Sequence, residues 1–194
     1  MTNSPSNILI VGDSYAKPRV AGASGTNTDD GDQSKSYPAL LAIVSQGVSG
    51  TTAQQWQADE GGMLSKARAT TADVLIMSLL GNDAFLAASS GNPMIAAMDI
   101  IADLAALTSV VKTLGRKRNL VILYPDPFNG SNEEYVVGLP VLNGLIRDVW
   151  GRSGLAHEIV DLREITAPGD FNGVDIHMTA SGHAKVAAYL GGAI

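Results

Sequence analysis

The chain has 194 residues, 45% of them apolar and 16% charged, with a formal net charge of −6. That is long enough for one domain with a real core, too apolar for a disordered chain, and too acidic for nucleic acid or anionic membrane to be the main partner. Cysteine is absent, which excludes disulfides, thiolate metal sites and a cysteine nucleophile.

Residues Met1 to Asn7 are polar, with neither a charged n-region nor an apolar h-region, so no signal peptide is visible. This fits a cytoplasmic protein, a mature form or export by another route. Ile8 to Val11 is a continuous apolar run rich in β-branched residues, the pattern of a strand buried on both faces. It stops at Gly12-Asp13-Ser14, and a small polar nucleophile at the end of such a strand sits where open α/β sheets place their chemistry. Asp13 is expected to shape the turn. Lys17 to Ser36 is rich in Gly, Asp, Ser and Thr and reads as a long surface loop beside Ser14.

Tyr37 to Leu41 reads as a short helix with Pro38 in its first turn, and Ala42 to Val48 as a second strand. Thr52 to Arg68 is helix-compatible and interrupted at Gly61-Gly62. Val74 to Leu80 is a third strand ending at Gly81-Asn82-Asp83. Pro93 to Leu114 is the clearest helix, with Met94, Met98, Ile101, Leu104, Ala105, Thr108 and Val111 on one expected core face and Gly115 as its stop. Leu120 to Tyr124 is a fourth strand, Glu133 to Trp150 a helical stretch broken at Pro140, and Glu158 to Leu162 a fifth strand. A loop through Asp170 then leads to Asp175-Ile176-His177, and Thr179 opens a last helix through Leu190. No apolar run reads as a membrane span, and no linker or repeat divides residues 1–194, so a single α/β domain with a parallel sheet is expected.

In such a sheet Ser14, Gly50, Asn82 and the loop bearing His177 lie on one edge. Ser14 and His177 then make a nucleophile and general base, since a serine hydroxyl needs a base that titrates near neutral pH. Asp175 is the candidate to orient the imidazole, with Asp170 or a backbone carbonyl as alternatives. The N–H groups of Ser14 and Gly50 and the Asn82 side-chain amide can face a developing oxyanion. His183 reads as a surface or packing residue, His157 as a residue without a partner, and Trp56 as core. Asp59-Glu60 and Glu133-Glu134 read as solvated faces rather than metal sites. No Walker A, G-x-G-x-x-G or G-x-S-x-G pattern is present.

Gly12-Asp13-Ser14-Tyr15 resembles the first block of the SGNH, or GDSL, hydrolase family, with Tyr where Leu is commoner. Gln46-Gly47-Val48-Ser49-Gly50-Thr51 resembles the second block, Gly81-Asn82-Asp83 the third, and Asp175-Ile176-His177 with Thr179 and Gly182 the fifth. The resemblance covers nearly the whole chain in order. It implies a flavodoxin-like three-layer α/β/α sandwich with a five-stranded parallel sheet, and hydrolysis of carboxylic esters of acyl lipids, thioesters or acetylated sugars. It assigns Ser14 as nucleophile, His177 as base, and Gly50 and Asn82 as oxyanion donors. The family's fifth-block acid stands three residues before the histidine; here that residue is Val174, and Asp175 stands two before.

The reading is a serine esterase for short acyl esters, O-acetyl carbohydrate included, that needs neither metal nor organic cofactor. A small-molecule or carbohydrate ester is the expected partner, with no nucleic acid and no integral membrane segment. A rival is a carbohydrate-binding or adhesion module that keeps the fold without turnover. Transacylation is a third reading, in which a dry pocket favours an alcohol over water.

Overall fold

In a computed structural model that describes residues 7–22, 31–125, 133–171 and 176–194, five strands form one parallel sheet. The strands are β1 (Ile8–Gly12), β2 (Val44–Ser45), β3 (Val74–Ser78), β4 (Arg118–Leu123) and β5 (Glu158–Asp161), in the order β2-β1-β3-β4-β5. Leu9 pairs with Val44 on one side and Leu75 on the other, and Gly12 with Ser78. The apolar runs become strands because both sheet faces are covered: Leu9, Ile10, Val11, Leu75, Ile76, Met77, Leu120 and Val121 are all fully buried.

Helices α1 (Tyr37–Leu40), α7 (Leu162–Ile165) and α8 (Ala180–Ala193) pack together in one layer. The other layer holds α2 (Ala53–Gln57), α3 (Met63–Ala69), α4 (Gly81–Ser89), α5 (Pro93–Leu114) and α6 (Glu133–Ser153). The sheet lies between them, which is the expected three-layer α/β sandwich. Because β2 and β3 flank β1 on opposite sides, the chain reverses direction across the sheet after β1. Open α/β sheets take their ligands outside the carboxyl ends of the strands at such a switch point.

Several expectations need correction. On α5 the buried residues include Ile100, Asp103, Leu104, Ala106, Leu107, Val110, Val111 and Leu114, whereas Met94, Met98 and Ile101 are 74%, 66% and 65% exposed. The helix is apolar nearly all round, so two stripes share the helical period, and only packing against α2 and α4 selects between them. Met94–Leu114 is also long and apolar enough to cross a membrane by length and composition, contrary to the expectation from apolar runs. Asn92 caps its start, its side chain accepting from Met94 and Ile95 N–H, and Gly115 ends it in a left-handed conformation.

The second strand is shorter than expected, although Gln46 and Val48 N–H continue to bond the Ile10 and Gly12 carbonyls beyond it. The segment after β3 turns at once into α4, a helix the sequence pattern did not suggest. Helix α6 runs unbroken past Pro140. His157 does have a partner: its Nδ1 accepts from Asn119 N–H at 3.0 Å, extending the β4–β5 pairing.

Candidate active site

Gly12 has φ +143°, and a Cβ there would lie 1.7 Å from the Ser78 carbonyl oxygen. Any side chain would push β1 off β3. The chain then turns on Asp13. Its N–H donates to Ser78 at 2.8 Å, and its carbonyl accepts from Ala16 and Lys17 N–H. Its Oδ1 accepts from Tyr15 N–H at 2.9 Å, an Asx turn. Its Oδ2 accepts from the Tyr124 hydroxyl at 2.6 Å, and that hydroxyl in turn accepts from Gly81 N–H at 3.0 Å. Burial pushes the Asp13 carboxyl up to about 6, against the opposing pull of Tyr124, Tyr15 N–H and the charge of His177. Asp13 is a turn-former, as its sequence position suggests.

This turn presents Ser14, half-buried, to His177. The Ser14 Oγ and His177 Nε2 lie 2.7 Å apart, across 163 positions of sequence. The Arg19 Nη1 lies 3.5 Å from the same Nε2. His177 is only 9% exposed, and its ring stacks on Tyr15 with centroids 5.6 Å apart and planes at 29°. The chain at Phe171 and Met178 pairs in an isolated antiparallel bridge, and Thr179 N–H bonds the Asp170 carbonyl at 2.9 Å.

Asp170 is committed elsewhere. Its side chain accepts from Ala167 N–H at 2.8 Å, the Ser181 hydroxyl at 2.9 Å and Lys185 at 2.7 Å. Burial raises its pKa, but these partners more than offset that and hold the carboxyl below its usual range. Asp170 therefore anchors the start of α8. Asp175 lies outside the described residues.

The second block lies against the turn that carries Ser14. A Cβ on Gly47 would come within 2.3 Å of Lys17 N, and Val48 N–H bonds the Gly12 carbonyl at 2.9 Å. Gly50 follows in a left-handed conformation, φ +78°, with open space where a Cβ would be. Asn82 Nδ2 donates to the Thr51 carbonyl at 3.0 Å, which ties the third block to the second and leaves the amide a second N–H. Asn82 sits in the first turn of α4, where exposed N–H groups favour negative charge. The residue before that helix, Leu80, is fully buried at φ +109°. A non-glycine held there is strained, a feature that concentrates at functional sites.

Solved structures that resemble this one align over nearly all of its length. The native aryl esterase of M. smegmatis superposes with a TM-score of 0.66 at 19% identity, covering 96% of each chain. Axe2, an acetylxylan esterase from Geobacillus stearothermophilus, gives 0.63 at 16%, covering 94% of this chain and 91% of that one. Phospholipase A1 from Streptomyces albidoflavus NA297 gives 0.62 at 17%, covering 97% and 99%. The chain has the SGNH hydrolase fold. No family model matches its sequence, and no curated protein does.

Within this SGNH fold, sequence reasoning missed three features. The first is the hydrogen-bonded set Asp13–Tyr124–Gly81, whose members lie 111 and 43 positions apart. A polar Tyr closing a buried strand was the available signal. The second is His183. It is buried, with Nδ1 accepting from Tyr37 N–H at 3.3 Å and Nε2 bonded to the Arg19 carbonyl at 2.7 Å. Those partners fix the neutral tautomer with its proton on Nε2. Burial pushes it down to about 4, and the Arg19 carbonyl only partly opposes this.

The third is a cavity of about 680 Å³ beside Gly50, lined in part by Leu86 and by Glu60, Asp83, Asp99 and Asp103. Asp83 accepts from Ala53 N–H at 2.9 Å at the start of α2. Burial pushes Asp83 up to about 7; Ala53 N–H opposes and the nearby Asp103 charge adds to the rise.

Proposed function

We propose that the chain is a serine esterase that works through an acyl-enzyme on small acyl esters, O-acetyl carbohydrate among them. The observation that carries this is the 2.7 Å contact between Ser14 Oγ and His177 Nε2 at the carboxyl edge of the sheet. A general base must lie within hydrogen-bond reach of the proton it takes, and this one does.

In this reading Ser14 Oγ attacks the ester carbonyl carbon while its proton passes to His177 Nε2. The resulting oxyanion is met by the N–H groups of Ser14 and Gly50 and by the free N–H of the Asn82 amide. The tetrahedral intermediate collapses, the C–O bond to the alcohol breaks, and His177 gives its proton to the departing alkoxide. Water then repeats the sequence on the acyl-serine and regenerates Ser14. Asp175 is the carboxylate assigned to hold the imidazole in the productive tautomer. The left-handed Gly50 and the first turn of α4 support the oxyanion assignment, and the esterases among the structural neighbours support the reaction class.

The test is labelling with a fluorophosphonate followed by mass-spectrometric mapping, with hydrolysis of nitrophenyl acetate measured alongside. The expected result is one adduct, on Ser14, and esterase activity. A folded chain that takes no label and hydrolyses no ester overturns the reading and leaves a binding module.

A further inference from the structure

Tyr15 is bound on every side to the parts that bring nucleophile and base together. It follows Ser14 in the chain, and its N–H holds the turn through Asp13 Oδ1 at 2.9 Å. Its carbonyl accepts from the Tyr37 hydroxyl at 2.7 Å, and the edge-on ring of Tyr124 packs against it at 5.2 Å. Its own side chain, only 3% exposed, reaches across to the other half of the site. There the hydroxyl donates to the carbonyl of Ile176, the residue immediately before His177, and the ring stacks on the imidazole.

A leucine could fill the volume but could neither bond that carbonyl nor present a flat face to the ring. We infer that Tyr15 is a positioning residue for His177, coupling the nucleophile turn to the general base through one hydrogen bond and one stacked ring. The inference rests on the esterase reading above and deepens it.

The physical consequence is specific. An imidazole must first face Ser14 Oγ and then the leaving oxygen, and its usefulness depends on small displacements. The Tyr15 hydroxyl fixes the backbone from which the ring hangs, and the phenol ring limits its rotation. With Tyr15 only 3% exposed, neither contact offers much surface to a substrate. Loss of either should therefore act on the chemical step, with little effect on substrate binding.

Two variants separate the contacts. Tyr15→Phe removes the hydroxyl and keeps the ring; Tyr15→Leu removes both. The measurements are kcat and KM for nitrophenyl acetate from pH 5 to 9, the rate of fluorophosphonate labelling of Ser14, and the thermal midpoint as a check on folding. Tyr15→Phe is expected to lower kcat and the labelling rate roughly 10-fold, with KM within about twofold, the pattern of a lost transition-state contribution. The acid limb of the pH profile of kcat is a further readout that a packing role would not move. Tyr15→Leu should lose roughly 100-fold in both rates.

If the unaltered chain takes no label, the esterase reading fails and this inference with it. If that chain is labelled and both folded variants match it in rate and pH profile, the inference alone is overturned. A fall in thermal midpoint with kcat and acid limb unchanged would make Tyr15 a packing residue, which also overturns it. Should Tyr15→Leu fail to fold, Tyr15→Phe decides alone.

Discussion

The two halves of the proposed site are built in different ways. The half that carries Ser14 is local in its turn: Gly12, Asp13 and Ser14 follow a buried strand, and the turn closes on itself through Asp13 and its neighbours two to four residues on, although Ser78 and Tyr124 also bond Asp13 from a distance. The base half is held from a distance. Tyr15 grips Ile176, Arg19 bonds His183, and Ala21 N–H bonds the Met178 carbonyl at 2.9 Å. A local turn can be specified by a tripeptide. A distant one needs the rest of the fold, and its geometry depends on residues that no short pattern contains.

The comparison can be broken first at its centre. Ser14→Ala removes the atom both halves converge on, and kcat should fall by roughly 10⁶ with the fold retained, as in other serine hydrolases. Steady-state rates on nitrophenyl acetate, with the melting midpoint as control, check this. An unchanged rate would mean that the halves meet for some purpose other than acyl transfer.

Next comes the proposed orienting acid. Asp175→Asn should lower kcat by up to about 10⁴, the loss when the wrong tautomer is held. Asp170→Asn should leave kcat nearly unchanged and lower stability, because Asp170 is engaged by Lys185, Ser181 and Ala167. Parallel kinetics and denaturant titration of the two variants distinguish them. The reverse pattern would transfer the orienting role to Asp170.

On the nucleophile side, Asn82→Ala should cost roughly 100- to 1,000-fold in kcat. KM should move little, since an oxyanion donor acts on the transition state. Full kinetic curves on the variant separate that from a ground-state contact.

The last expected effect is one of pH and touches stability rather than rate. His183 stays neutral in the fold to about pH 4, whereas the unfolded residue protonates near 6.5. The unfolded state therefore takes up a proton that the fold refuses, and stability is lost as pH falls from 6.5 towards 4, by about 3 kcal/mol. Asp13 has the opposite sign. Its carboxyl keeps its proton to about pH 6 against 3.8 unfolded, so stability falls as pH rises across that window. Urea unfolding between pH 4 and 7 should show His183→Gln without the acid-side loss and Asp13→Asn without the alkaline-side loss.

The same contrast explains what could be read in the sequence. The strands were legible because a sheet covered on both faces needs unbroken apolar runs such as Ile8 to Val11. The places of Ser14, Gly50 and Asn82 after expected strands were legible as small or polar residues that follow them. Helix α4 was not, because it begins on the site residues themselves, with a strained Leu80 where an ordinary cap would stand. The buried face of α5 was misread because a helix apolar all round carries no directional signal. The tie from Tyr15 to Ile176 was invisible for a simpler reason: its partners are 161 positions apart.

That separation bears on when the site exists during folding. Ser14 and His177 lie near opposite ends of the chain, and four of the five strands come between them. Contacts of such long range form only after much chain entropy has been lost. A partly folded chain can own the nucleophile turn and still hold an unactivated serine. The reactivity of Ser14 towards a phosphonate would then follow the fully assembled population rather than secondary structure, so a labelling time course during refolding would read the last docking step directly.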